Sequence, residues 1–95
     1  MTEAEVIQEI KNLANKYASI EKVLLYGSRA RGTARDTSDF DLCVCGYERF
    51  EYNNFFNDID DMDTWYTFDV VSFHQIKNKV FLNEILRDGV TIYER

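Results

Sequence analysis

The chain has no proline, four glycines and two cysteines in 95 residues. With no proline and no glycine- and serine-rich stretch there is no sign of a linker, so residues 1–95 are expected to form one domain. No apolar run approaches the roughly 20 residues that cross a bilayer. Residues 1–20 carry charges where a signal peptide needs an apolar core, so neither membrane insertion nor export is expected. Positive charge is also scarce. Eleven Lys and Arg against seventeen Asp and Glu leave a formal charge of −6. Nucleic-acid binding rests on neutralising phosphates, so an autonomous grip on RNA or DNA is not expected. Cys43 and Cys45 stand two apart on a predicted strand, badly placed to bond each other, which fits a reduced cytoplasmic setting. With His74 they lack the paired Cys-x-x-Cys spacing of a zinc site, and none is expected.

What the chain does have is apolar periodicity. A domain of this size buries about 60% of its unfolded surface, enough for a core without disulfides. Thr2 and Glu5 predict a capping box, and Val6, Ile10, Leu13, Ala14 and Tyr17 follow at helical spacing, so a helix is expected over 3–18. Residues 22–26 read as a buried strand ended by Gly27, with a turn and a short helix after it. Phe40, Leu42 and Val44 then alternate with Asp39, Asp41, Cys43 and Cys45, which puts the apolar set on one side of a strand and the acids on the other. For Gly27 and these acids to share one site, the two strands must run antiparallel. A helix is expected over 48–62 with Phe50, Phe56 and Ile59 as its apolar side. A third strand over 66–73 carries Asp69. A last helix over 77–87 carries Val80, Phe81, Ile85 and Leu86 and is stopped by Gly89, and residues 90–93 add an edge strand. The expectation is a small α/β (α+β) domain with a mixed sheet.

The most telling stretch runs from Gly27 to Asp41. Gly27-Ser28 closes the first strand, and ten residues later Asp39-Phe40-Asp41 opens the second. A glycine lets the backbone come close to an anion, and the amides behind it can point at phosphate. Aspartates two apart on a strand project from one face, roughly 7 Å apart by strand rise. Both can reach one hard cation, or a pair about 4 Å apart. Two like charges on neighbouring same-face positions repel unless something positive lies between them. Phosphate grip beside metal grip points to chemistry on a nucleoside triphosphate.

Gly27, Ser28, Asp39 and Asp41 match, without a gap, the Gly-Ser, ten residues, Asp-x-Asp signature of the Pol β-like nucleotidyltransferase superfamily, and the chain resembles its smallest branch, the minimal nucleotidyltransferases. The flanks Leu24-Leu25-Tyr26, Arg29-Ala30-Arg31-Gly32 and Ser38 agree, with Tyr26 where phenylalanine is common. The resemblance implies a palm-like fold and a third carboxylate on a later strand, for which Asp69 in Phe68-Asp69-Val70-Val71 is the candidate. It further implies catalytic and Mg²⁺-ligating roles for Asp39, Asp41 and Asp69, with Asp69 helping to remove the proton of the attacking hydroxyl. Gly27 and Ser28 are implied to hold the nucleotide phosphates. Arg31 is a nucleotide-binding candidate, since its guanidinium could neutralise the leaving pyrophosphate. Arg29 and Arg35 read more simply as solvated, as does the acidic stretch Asp58, Asp60, Asp61 and Asp63.

The expected reaction is Mg²⁺-dependent transfer of a nucleoside monophosphate, AMP by preference, from the triphosphate to a hydroxyl. No acceptor-binding domain is discernible. Members of the resembled branch are typically paired with a separate helical-bundle protein of HEPN type, some as the antitoxin that nucleotidylates that toxin, so such a partner is expected. Tyr47, Tyr52, Phe55, Trp65 and Tyr66 are the expected contact residues, because aromatic side chains favour interfaces. The alternative is a non-catalytic subunit that binds nucleotide or partner alone.

Overall fold

The computed structural model describes residues 1–46 and 49–95, and every side chain among them except those of residues 49 and 50. In chain order the elements are α1 (Glu3–Asn15), β1 (Ile20–Tyr26), α2 (Gly27–Arg31), β2 (Phe40–Gly46), α3 (Arg49–Asp60), β3 (Phe68–Ser72), a 3₁₀ turn (Phe73–Gln75), α4 (Lys79–Asp88) and β4 (Val90–Glu94). Helix α1 starts at the expected capping box, with Glu5 N–H donating to Thr2 and the Thr2 N–H to the Glu5 carboxylate. It ends at Asn15 rather than residue 18, because the chain turns there through Tyr17 N–H to Ala14 and Ile20 N–H to Tyr17. Asn78 caps α4 by accepting from Val80 and Phe81, which moves its start to Lys79. Gly89 closes α4 in an extended conformation, φ −66°. Its lack of a side chain matters for space: a Cβ would run into the Ile85 carbonyl.

The strands form one sheet in the order β3-β2-β1-β4. Strand β1 pairs antiparallel with β2 and with β4, whereas β2 and β3 run parallel, so the sheet is mixed as expected. One face is closed by α1 and α3. Val6, Ile10 and Ala14 from α1 and Phe55 and Ile59 from α3 pack on Val23, Leu25, Phe40, Leu42 and Val44. The opposite face is covered by α4, where Ile85 and Phe81 meet Leu24, Tyr26 and Cys43.

Strand β1 starts earlier than expected and β3 is shorter than 66–73, and other expectations change as well. The buried side of α3 is Phe55 with Ile59, four apart and therefore on one face, while Phe56 is 40% exposed. Phe55, fully buried, cannot serve as a contact residue. Tyr47, Glu48 and the side chain of Phe50 lie outside the described residues. In the acidic stretch, Asp60, Asp61 and Asp63 are exposed as expected. Asp58 instead accepts from the Tyr17 hydroxyl and pairs with Lys16 Nζ at 3.0 Å, tying α3 to the end of α1. Cys43 and Cys45 are both free, and no helix among the described residues is long and apolar enough to cross a membrane.

Candidate active site

The exit of β1 and the entries of β2 and β3 meet at one end of the sheet. In register, Asp41 stands between Tyr26 on β1 and Asp69 on β3. Neighbouring strands lie about 4.8 Å apart, so Asp41 and Asp69 are side-by-side carboxylates on the face opposite Phe40 and Leu42. Gly27 follows Tyr26 with φ +73°, a left-handed conformation that suits glycine. A Cβ at this position would collide with the Asp41 carboxylate. Glycine is therefore required both by the backbone angle and by the acid pressed against it. The antiparallel pairing of β1 and β2 creates this contact between residues fourteen apart in the chain.

Charge at this end of the sheet is one-sided. Burial pushes the Asp41 carboxyl above the usual carboxylate range, and the neighbouring Asp69 and Asp39 charges push it further against the opposing pull of Arg31 and Arg29. Burial, followed by Asp69 and Asp41, likewise raises the Tyr26 hydroxyl. Asp39, exposed at the head of β2, accepts a hydrogen bond from the Thr67 hydroxyl. Among the described residues, no three acids, histidines or cysteines are closed into a ready-made cation site. The fold thus sets Asp69 beside Asp41 and Asp41 against Gly27, with Asp39 adjacent but tied to Thr67. An all-oxygen set of carboxylates whose mutual repulsion Arg31 and Arg29 only partly offset fits a hard divalent cation. Asp69 has no ion pair among the described residues, so a structural pairing does not explain its presence on β3.

The two arginines after the turn part company. Arg31 is half exposed and sits 3.6 Å from Asp88 at the end of α4. Arg87 also holds Asp88, at 3.0 Å. Arg29, read from sequence as solvated, has a side chain only 4% exposed. Its guanidinium pairs with Glu3 at 3.1 Å and donates to the Ser38 carbonyl at 2.7 Å, with longer contacts to the carbonyls of Arg35 and Asp36. It also lies 4.3 Å from the Phe40 ring centre and 4.9 Å from that of Tyr66. Arg29 therefore ties the segment leading into Asp39 back onto α2 and α1. Nothing in the local sequence separates a buried arginine from a solvated one here. Thr67 was also missed, because its contact with Asp39 spans 28 positions.

A family model described as polymerase beta, nucleotidyltransferase, matches residues 8–95. The chain belongs to this nucleotidyltransferase family. A Methanocaldococcus jannaschii protein, provisionally named a protein adenylyltransferase, is 41% identical over 54 residues. That match takes in 55% of this chain and 54% of the relative, so the chain spans about half the length of the curated protein it matches. Among solved structures, a protein provisionally described as a minimal nucleotidyltransferase superposes with a TM-score of 0.72 at 22% identity, covering 95% of each chain. A chain of a toxin–antitoxin complex solved with AMP-PNP superposes at 0.70 with 16% identity, over 99% of this chain and 75% of that one. A chain from the complex of tri-AMPylated Shewanella oneidensis HEPN toxin with its MNT antitoxin gives 0.68 at 13% identity, over 99% and 74%. At these identities the likeness is one of fold, and it matches the small mixed α/β architecture described above.

Proposed function

We propose that the chain is a Mg²⁺-dependent nucleotidyltransferase of the cytoplasm that moves AMP from ATP to a hydroxyl on a partner protein, as the antitoxin of a pair with a HEPN-type helical-bundle toxin. The observation that carries this reading is the register that sets Asp41 beside Asp69 with Gly27 against the Asp41 carboxylate. The named activity of the M. jannaschii relative, and the nucleotide analogue and HEPN toxin in the complexes of similar fold, support it.

In this reading the Gly27 turn and the Ser28 hydroxyl hold the β- and γ-phosphates, on the β1 side of the acids. Asp69, on the edge strand, accepts the proton of the incoming hydroxyl. The acceptor oxygen bonds to the α-phosphorus as the bond to the bridging oxygen breaks, and pyrophosphate departs in line. Asp41, Asp69 and Asp39 would hold the divalent ion, Asp39 after exchanging its Thr67 hydrogen bond for a ligand bond. When bound, that ion supplies charge neutralisation for the attacking and leaving oxygens. Arg31, close to the turn, would leave Asp88 to meet the pyrophosphate.

A non-catalytic subunit that binds nucleotide or partner is the second reading, favoured by the absence of a closed three-acid cation site among the described residues. One experiment separates them. The protein is incubated with labelled ATP, CTP, GTP or UTP and Mg²⁺, with and without the product of the adjacent gene. Transfer of label to protein, strongest with ATP and lost in an Asp39→Ala/Asp41→Ala double variant, is the expected result. Saturable Mg·ATP binding with no label transferred to any protein would establish the second reading instead.

A further inference from the structure

The chain's only tryptophan, Trp65, sits in the bend between α3 and β3 with 62% of its surface exposed. An indole this open would ordinarily be loose, but this one is backed. It stacks on Tyr66 at 4.3 Å and 23° between planes. Tyr66 in turn meets the fully buried Phe40 edge-on at 5.1 Å and receives the Arg29 guanidinium on its ring. The stack is therefore rooted in the core, and a group landing on the indole need not immobilise it first.

Beside it lies a cleft of about 180 Å³ lined by Asp36, Thr37, Ser38, Trp65, Tyr66 and Thr67. Thr67 is the residue whose hydroxyl holds Asp39, so this cleft adjoins that acid. Its walls are the segments leading into β2 and β3, whereas the Gly27 turn lies at the exit of β1, two strands away from β3. An in-line displacement requires the attacking oxygen to enter opposite the departing pyrophosphate. With the polyphosphate held at the exit of β1, as the transfer reading has it, the acceptor would enter from the β3 edge, where Trp65 stands. Acid flanks it: Asp36 lines the cleft and the exposed Asp63 stands two residues before the indole, with the exposed Arg35 beside Asp36 as the opposing charge.

We infer that Trp65 and the acids around it dock a lysine- or arginine-bearing segment of the acceptor protein, so that the hydroxyl to be modified arrives over β3. This rests on the transfer reading above for its direction of approach. The chemistry of recognition is the π-face of an indole for a cation or its aliphatic stem, with the acids complementing the charge. Rigid, well-backed tryptophans are over-represented among the residues that dominate interface energies.

The test needs no turnover, so it stays readable even if no transfer is found. A fluorescein-labelled, amidated pentapeptide of alternating arginine and serine is titrated with the protein by anisotropy, beside its glutamate counterpart. The arginine peptide should bind in a salt-sensitive way and the glutamate peptide should not. Trp65→Ala should weaken binding about tenfold, Trp65→Phe should restore most of it, and Asp36→Asn/Asp63→Asn should weaken it similarly. Affinity for Mg·AMP-PNP should be the same in Trp65→Ala and wild type. Thermal unfolding of each variant checks the fold, which an exposed side chain should not disturb. Three outcomes overturn the proposal: arginine-peptide binding indifferent to Trp65→Ala, no arginine-peptide binding at about 1 mM, or nucleotide affinity that falls in Trp65→Ala, which would give the indole to the base. Peptide binding as expected alongside a failed transfer assay would support the docking surface while removing the catalytic role.

Discussion

The two faces of β2 carry opposite assignments on one seven-residue strand. Phe40, Leu42 and Val44 are fully buried against α1 and α3. On the other side, Asp39 is exposed and Asp41 is half-buried beside another carboxylate. Neighbours 3.3 Å apart along the chain thus work against each other: one holds the sheet to its helices, the next loads the same strand with unbalanced charge. Charge retained next to a glycine that a methyl group could not replace is what places the proposed chemistry on this face.

That contrast can be broken at named positions. The largest effect is expected on the acid face: Asp41→Asn should reduce nucleotidyl transfer by about a thousandfold or more, measured in single-turnover assays. The same variant should unfold at a higher temperature than wild type in the absence of divalent ions, because it removes a carboxylate that burial and its neighbours disfavour. A lower melting temperature would contradict the electrostatic account. One residue on, Leu42→Ala should lower unfolding free energy by about 2–5 kcal/mol in urea titrations, the opposite sign. Gly27→Ala should cost about 1–3 kcal/mol from its φ and the Asp41 contact together, and should abolish the stabilisation of wild type by Mg·AMP-PNP in thermal shift.

The smallest effect belongs to a carboxylate far from the site. The Tyr17 hydroxyl, with Lys16 in support, holds the Asp58 carboxyl below its usual range. Burial, followed by the Asp58 hydrogen bond, pushes the Tyr17 hydroxyl up to about 12. A carboxyl with a depressed pKa in the folded state adds stability above the ordinary carboxylate range and loses it as pH falls through the depressed value. Asp58→Asn should therefore cost less than about 1 kcal/mol near pH 7 and nothing at low pH. Equal costs at both would show that the contact is not ionic.

Much of this was legible before any coordinates. Alternation along residues 39–45 assigned the apolar and acidic faces of β2 correctly, because a strand permits only two sides. Helical spacing found Val6, Ile10 and Ala14 for the same reason. In α3 the reading failed: Phe55 and Phe56 are adjacent, and only the helix's rotation about its axis decides which one faces the sheet. Arg29 failed differently. Its burial depends on Glu3, Phe40 and Tyr66, which reach it from three separate parts of the chain. Gly89 was placed correctly at the end of α4, where its lack of a side chain leaves room for the Ile85 carbonyl.

From its order of residues alone, the chain determined the helices and strands, the Gly-Ser turn, and the side of β2 on which the acids lie, since these follow from spacing along a single element. Only the tertiary structure decided that Asp69 would stand beside Asp41, that Thr67 would hold Asp39, and that Arg29 would be enclosed. Those contacts join strands and loops distant in sequence, and they exist because the burial of two apolar layers settles strand order and register.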